Sequence, residues 1–331
     1  MSGGARIPET DPELEKALGD GLAQVDSFLR QRVDYDDPFI AEAGGHLLGA
    51  GGKRFRPLLC LMAAQAGKGT NADVIAAASA VELTHLASLY HDDVMDEADL
   101  RRGVVSANVA YGNSTAILVG DLLFGTASAV MAELGPEAVR IQAETFMRLC
   151  AGQIRDDRPC PPGVDPVEYY LGVLRDKTGV LIATAARYGA MFSGCDAATV
   201  ETLREYGELL GVAFQLADDL LDIASVSGVS GKTPGTDLRE GVETLPILML
   251  RSAADPADAE LLELLDRDLR HDDESHARAL AGLRAHPALQ QAREYTLGVA
   301  RQAQARLEPL GDTAVARALH AMTMGVVDRA V

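Results

Sequence analysis

"VIAAASAVELTHLASLYHDDVMD", residues 74–96, decides the fold. Apolar residues recur through it at intervals of three and four, the period of an α-helix, over a length no ordinary strand reaches. Its last turn carries Asp92, Asp93 and Asp96. Side chains at i and i+4 share a helix face, so Asp92 and Asp96 align, with Asp93 beside them. Three carboxylates that close repel one another unless a cation lies among them.

The same period runs outward through most of the chain. Ala and Leu, both strong helix formers, are the commonest residues, and Val/Ile/Thr-rich stretches of period two are scarce. Breaks fall at "LGAGGKRFRP", "RRGVVSANVAYGN", "RDDRPCPPGVDP", "MFSGCD" and "SVSGVSGKTPGTD", with no low-complexity linker. This predicts an all-α fold, a large helical bundle around a central cavity. It is expected to form a single domain over residues 11–331, behind a flexible N-terminal tail of residues 1–10.

The chain has 331 residues, 47% of them hydrophobic, and a net charge of −19. Such a charge speaks against binding nucleic acid or an anionic membrane surface, so any anionic ligand needs a local basic cluster or metal ions. Cys60, Cys150, Cys160 and Cys195 form no Cys-x-x-Cys pair, and "MSGGARIPETDPELEK" lacks the features of a signal peptide. A reduced, cytoplasmic protein is expected. So is the absence of a transmembrane segment, since Asp121 interrupts the most apolar stretch, "STAILVGDLLFGTASAVMAELG".

"HDDVMD" at 91–96 has an echo in "ADDLLD" at 217–222. In the second copy Gln215, Asp218, Asp219 and Asp222 lie on one helical stripe, flanked by Phe214, Leu216, Leu220 and Leu221. Polar groups in apolar surroundings need partners. Mg²⁺ suits them, because it takes oxygen ligands and is commonly shared between carboxylates and substrate phosphates. Two facing clusters would clamp a diphosphate through several ions. Acidic runs on helices are more often solvated faces, and two others here, Asp156-Asp157 and "HDDES" at 271–275, are assigned to the surface.

Basic residues gather at Arg101 and Arg102, at Lys53, Arg54 and Arg56 in "GGKRFRP", and at Lys177 and Lys232 in "DKTG" and "SGKTPGTD". In an acidic chain they read as phosphate ligands, Arg by paired hydrogen bonds and Lys as a point charge. "SGKT" is not a phosphate-binding P-loop, because Val226 stands where that loop needs Gly. "ELTH" at 82–85 lacks the second Glu-x-x-His of a di-iron bundle. His85 is then a core histidine or a diphosphate donor, and its place one and two turns before Asp92 favours the donor.

From "GGKRFRP" to "LREGVETLPILML" these motifs, in this order, resemble the trans-prenyltransferases, or polyprenyl diphosphate synthases, of the isoprenoid synthase fold. The resemblance implies that Asp92, Asp93, Asp96, Asp218, Asp219 and Asp222 hold about three Mg²⁺ ions on an allylic prenyl diphosphate. It gives Arg101, Lys177 and Lys232 to that same diphosphate, with Thr178 and Gln215 supporting the allylic side and orienting the departing proton. Lys53, Arg56, His85 and Arg102 would hold isopentenyl diphosphate, and the protein would be a homodimer. Two positions depart from the family: Val242 stands where a lysine is common and Val105 where proline is frequent.

Ala87 and Ser88, five and four residues before Asp92, are small, as is Ser128 seven after Asp121. In the family, aromatic residues before the first cluster go with short products and small ones with long. A product of roughly C35 to C50, as in quinone side chains, built on a C15 or C20 starter, is therefore expected. The alternatives are a C20 geranylgeranyl diphosphate synthase, a class I terpene cyclase, and a partner-dependent subunit of a heteromeric synthase. A cyclase needs no isopentenyl site and often lines its cavity with aromatics, whereas this chain has no Trp and 5% aromatic residues.

Overall fold

The computed structural model describes residues 11–225 and 234–328. Helices follow one another as α1 (Pro12–Arg32), α2 (Pro38–Gly49), α3 (Phe55–Ala64), α4 (Ala72–Met95), α5 (Ala107–Tyr111), α6 (Asn113–Glu133), α7 (Pro136–Asp156) and α8 (Pro166–Leu174). Then come α9 (Val180–Phe192), α10 (Ala197–Ala224), α11 (Thr236–Glu240), α12 (Leu245–Ala253), α13 (Ala259–Leu265), α14 (Asp273–Ala285), α15 (Pro287–Ala305) and α16 (Ala314–Val327). The fold is all-α. A hairpin of two short strands, β1 (Leu100–Arg101) and β2 (Val104–Val105), follows α4.

Several helices start on the same local device. α1, α2 and α8 each begin with Asp-Pro: the carboxylates of Asp11, Asp37 and Asp165 accept amide N–H groups of the first turn, and the proline fills a position that needs no donor. Asn71 caps α4 in the same way, accepting from the Val74 N–H.

The chain divides into two compact units, and each unit gathers separated stretches. The first comprises Met1–Met147, Leu181–Gly207 and Arg306–Leu319; the second comprises Arg148–Val180, Glu208–Ala305 and His320–Val331. In the first unit α4 packs on α6, α3 and α1. It is apolar nearly all round, as a core helix must be, and Leu83, Leu86 and Ala87 are wholly buried. In the second unit α12 packs on α8 and α15.

Among the described residues, two helices are long and apolar enough to cross a membrane by length and composition: α4, 72% buried over its most apolar stretch, and α6, 39% buried. Asp121 therefore does not disqualify α6 as expected from sequence. Ile117 and Leu118 on α6 are exposed.

Candidate active site

The first aspartate set closes α4. Asp96 is its C-cap and Asp93 is fully buried. Asp93 is enclosed by partners: Arg101 Nε donates to Oδ1 at 2.6 Å and the Ala107 amide to Oδ2 at 2.9 Å. Arg101 also reaches Asp96 at 3.3 Å. The hairpin makes this possible. Arg102 and Gly103 both take positive φ, as a two-residue hairpin turn requires, which returns the chain beside α4 and presents the arginines to it.

Arg102 does not follow Arg101. Its guanidinium donates to the carbonyls of Gly51 and Leu47 and lies 3.4 Å from His85 Nε2. The turn it meets is unusual: Gly51, Gly52 and Arg54 all have positive φ, and a Cβ on Gly52 would lie 3.0 Å from the Arg102 guanidinium. Arg54 bonds Asp26 and Glu82, each at 3.0 Å, and the Leu48 carbonyl at 3.2 Å. Arg56 is half-buried with an unpartnered Nε. Burial lowers its pKa to about 10, opposed by Glu82. Burial first, then the neighbouring guanidiniums of Arg56 and Arg102, hold His85 well below its usual range, so the imidazole is neutral. Lys53 is exposed. Arg56, His85 and Arg102 lie together in one unit, and Arg54 is held by Asp26 and Glu82 beside them.

In the second unit a single π-helical turn, Arg175–Gly179, carries Lys177 and Thr178. The backbone of α7 lies against it so closely that a Cβ on Gly152 would sit 2.5 Å from the Lys177 nitrogen. Asp176 anchors the turn to Arg148 and Arg155. From Thr178 a hydrogen-bonded chain runs to the second aspartate set: Thr178 Oγ1 donates to Gln215 at 3.3 Å, Gln215 Nε2 donates to Asp219 Oδ1 at 2.9 Å, and Tyr170 donates to Asp219 Oδ2. Asp219 is 7% exposed and its donors, Tyr170 and Gln215, are neutral, so burial raises its pKa to about 6. Asp222 accepts the amides of Thr236 and Asp237 at 3.1 and 3.0 Å, capping α11. Asp218 is half-buried in the same helix. Lys232 lies outside the described residues.

Sequence reasoning missed Tyr170, Glu82 and part of the role of Asp156. Asp156 is exposed as expected, yet it holds Lys177 Nζ at 2.6 Å. The sequence shows Glu82 only as half of a Glu-x-x-His pair. Of the small residues, Ala87 is fully buried, while Ser88 and Ser128 are half-buried and turn their hydroxyls onto the carbonyls of His85 and Phe124. One turn further from the aspartates, a cavity of about 10 Å³, room for about one water, is bounded by Thr84, Met131, Gln142, Thr145 and Thr184. A wider cleft of about 490 Å³ at the starts of α1 and α16 is lined by none of the expected site residues.

Among the described residues, no group of three or more His, Cys, Asp or Glu side chains is gathered as a preformed metal site. The donors fit a hard divalent cation nonetheless. All six are carboxylates, and Asp219 is a buried acid with neutral hydrogen-bond donors.

The polyprenyl synthetase family profile matches residues 37–281. Nonaprenyl diphosphate synthase of Mycobacterium tuberculosis is 46% identical over 321 residues, spanning 96% of this chain and 95% of that one. Among solved structures, geranylgeranyl pyrophosphate synthase of Corynebacterium glutamicum, complexed with calcium and isoprenyl diphosphate, superposes with a TM-score of 0.87 at 41% identity, covering 97% of this chain and 98% of that one. A decaprenyl diphosphate synthase of Rhodobacter capsulatus gives a TM-score of 0.88 at 32% identity, covering 96% and 99%.

Proposed function

The chain belongs to the polyprenyl synthetase family, and we propose that it condenses isopentenyl diphosphate with an allylic diphosphate, C15 or C20, into an all-trans product of about C35 to C50. The observation that carries this reading is the basic cluster of Arg56, His85 and Arg102 in the same unit as a complete aspartate set. A quinone side chain is the destination that length suits.

Arg56 and Arg102 bind the diphosphate of isopentenyl diphosphate as charged donors, joined by Lys53, while neutral His85 donates or accepts a hydrogen bond without adding charge. That fixes the double bond of the nucleophile. Arg101 and Lys177, with Lys232, bind the allylic diphosphate and stabilise its departing charge. Asp92, Asp93, Asp96, Asp218, Asp219 and Asp222 would hold Mg²⁺, about three ions, which supplies Lewis-acid charge to the leaving group. Thr178 and Gln215 orient the proton lost when the new double bond forms. Val242 is 42% exposed at the place of the family's lysine and supplies no such contact.

The small side chains at Ala87, Ser88 and Ser128 leave the elongation path unblocked by aromatic bulk near the first aspartate set. The protein is read as a cytoplasmic homodimer, the exposed apolar residues Ile117 and Leu118 of α6 being covered by a second copy.

Purified protein incubated with Mg²⁺, isopentenyl diphosphate and C10, C15 or C20 starters, with the products sized as alcohols, is expected to give a ladder ending beyond C30. A ladder ending at C20 would assign the geranylgeranyl alternative. No elongation by folded protein would point to a missing partner subunit or a cyclase.

A further inference from the structure

Arg54 is answered by two carboxylates, Asp26 and Glu82, each 3.0 Å away. One guanidinium needs only one for neutrality. Asp26 is open to solvent, but Glu82 is 2% exposed on a core helix, one turn before His85. A surplus buried anion must be answered by other charge. The nearest other cations are Arg102, whose guanidinium lies 3.4 Å from His85 one turn along the same helix, and Arg56, two residues after the Arg54 that Glu82 holds; the charge of Glu82 opposes the cost of burying both. His85, being neutral, answers none of it.

We propose that Glu82 is the built-in counter-anion of the isopentenyl diphosphate pocket, and that the Glu82–Arg54 pair sets how tightly Arg56 and Arg102 grip a diphosphate. This rests on the reading that those residues bind that diphosphate. Glu82 touches no substrate; it acts through the guanidiniums as a positioning residue.

The reaction gives this restraint a purpose. The new C–C bond joins the allylic C1 to the terminal alkene carbon of isopentenyl diphosphate, the allylic C–O bond breaks, its diphosphate leaves with the bonding pair, and that departing diphosphate takes up the proton lost from the isopentenyl unit. The product therefore carries the diphosphate that the basic pocket holds. Before the next addition that group must leave the pocket and become the allylic end. A pocket with unopposed arginines would bind isopentenyl diphosphate well and release the elongated chain poorly. Glu82 competes with the bound diphosphate for the same positive field, which favours release and repeated elongation.

The test is calorimetric titration of isopentenyl diphosphate in EDTA into wild type, Glu82→Gln, Arg54→Gln and the double variant. Gln keeps an acceptor for Arg54 and removes only charge. Glu82→Gln is expected to bind about tenfold more tightly, Arg54→Gln about tenfold more weakly, and the double variant close to wild type. In the product assay Glu82→Gln should keep its first condensation and give a shorter ladder. Weaker binding by both single variants means a purely structural pair and overturns the proposal. Should Glu82→Gln not fold, the double variant must still bind more tightly than Arg54→Gln. Arg102→Ala separates the two readings: if it binds as well as wild type, the pocket assignment itself fails.

Discussion

Asp93 and Asp219 hold the same place in two copies of one spacing, and both are buried, but the chain answers them differently. Asp93 is met by a cation, Arg101, and a backbone amide. Asp219 is met by a tyrosine hydroxyl and a glutamine amide, and its pKa rises to about 6. An acid compensated by a guanidinium is settled within the protein. One compensated by neutral donors remains short of positive charge, which a divalent ion can supply. The repeat in sequence is thus not a repeat in electrostatics, and substitutions should separate the two.

The largest effect is expected at Asp93. Asp93→Ala strands Arg101 beside a buried space, and removing one partner of a buried pair costs about 3–5 kcal/mol. Denaturant unfolding should show a loss of that order, and steady-state turnover should fall by ~10²-fold or more, the scale of losing one electrostatic stabiliser. A variant of wild-type stability would break the contrast, since Asp93 would then be no more settled than Asp219.

Asp219 should show the opposite dependence on conditions. Its folded pKa stands above its ordinary value of 3.8, so the proton binds more tightly in the folded state. The stability this contributes is complete below about pH 4 and is lost as pH rises through about 6, at most about 3 kcal/mol. Metal-free protein should therefore lose stability between those values relative to Asp219→Asn, which has no proton to release there. Added Mg²⁺ should restore stability above pH 6. Parallel pH profiles for the two proteins in EDTA would refute the assignment.

Tyr170→Phe removes one donor from Asp219 without removing the carboxylate. Partners that orient a metal ligand typically change affinity by about 10–100-fold, and a single hydroxyl belongs at the low end. The Mg²⁺ concentration for half-maximal rate should rise about tenfold with product length unchanged. A change in length with unaltered Mg²⁺ dependence would place Tyr170 on the path of the growing chain instead.

Periodicity carried the helices and both aspartate stripes, because that signal is local. Tyr170 and Asp219 are 49 positions apart, and Arg54 and Glu82 are 28 apart. A helical period tells which face a residue occupies and nothing of what is packed against that face. For the same reason Arg54 was legible as one more cation in "GGKRFRP", whereas its part in holding the turn depends on Asp26 and Glu82 from two other helices.

The acidic run "HDDES" supplies the smallest effect and the sharpest control. It has adjacent aspartates but no third one a turn later, and it lies where α14 begins. Asp272 accepts the Ser275 amide as a helix cap, which lowers its pKa, and Asp273 is 91% exposed beside Arg239. Asp272→Ala should produce a small fall in Tm with turnover and Mg²⁺ dependence unchanged, and Asp273→Ala should change neither stability nor rate measurably. A marked loss of activity from either would mean that paired aspartates at a helix start also serve the reaction. The distinction between the runs would then lie in something other than burial. What separates 92–96 and 218–222 from 272–273 is that each of the first two places an acid inside the protein, where its charge must be answered.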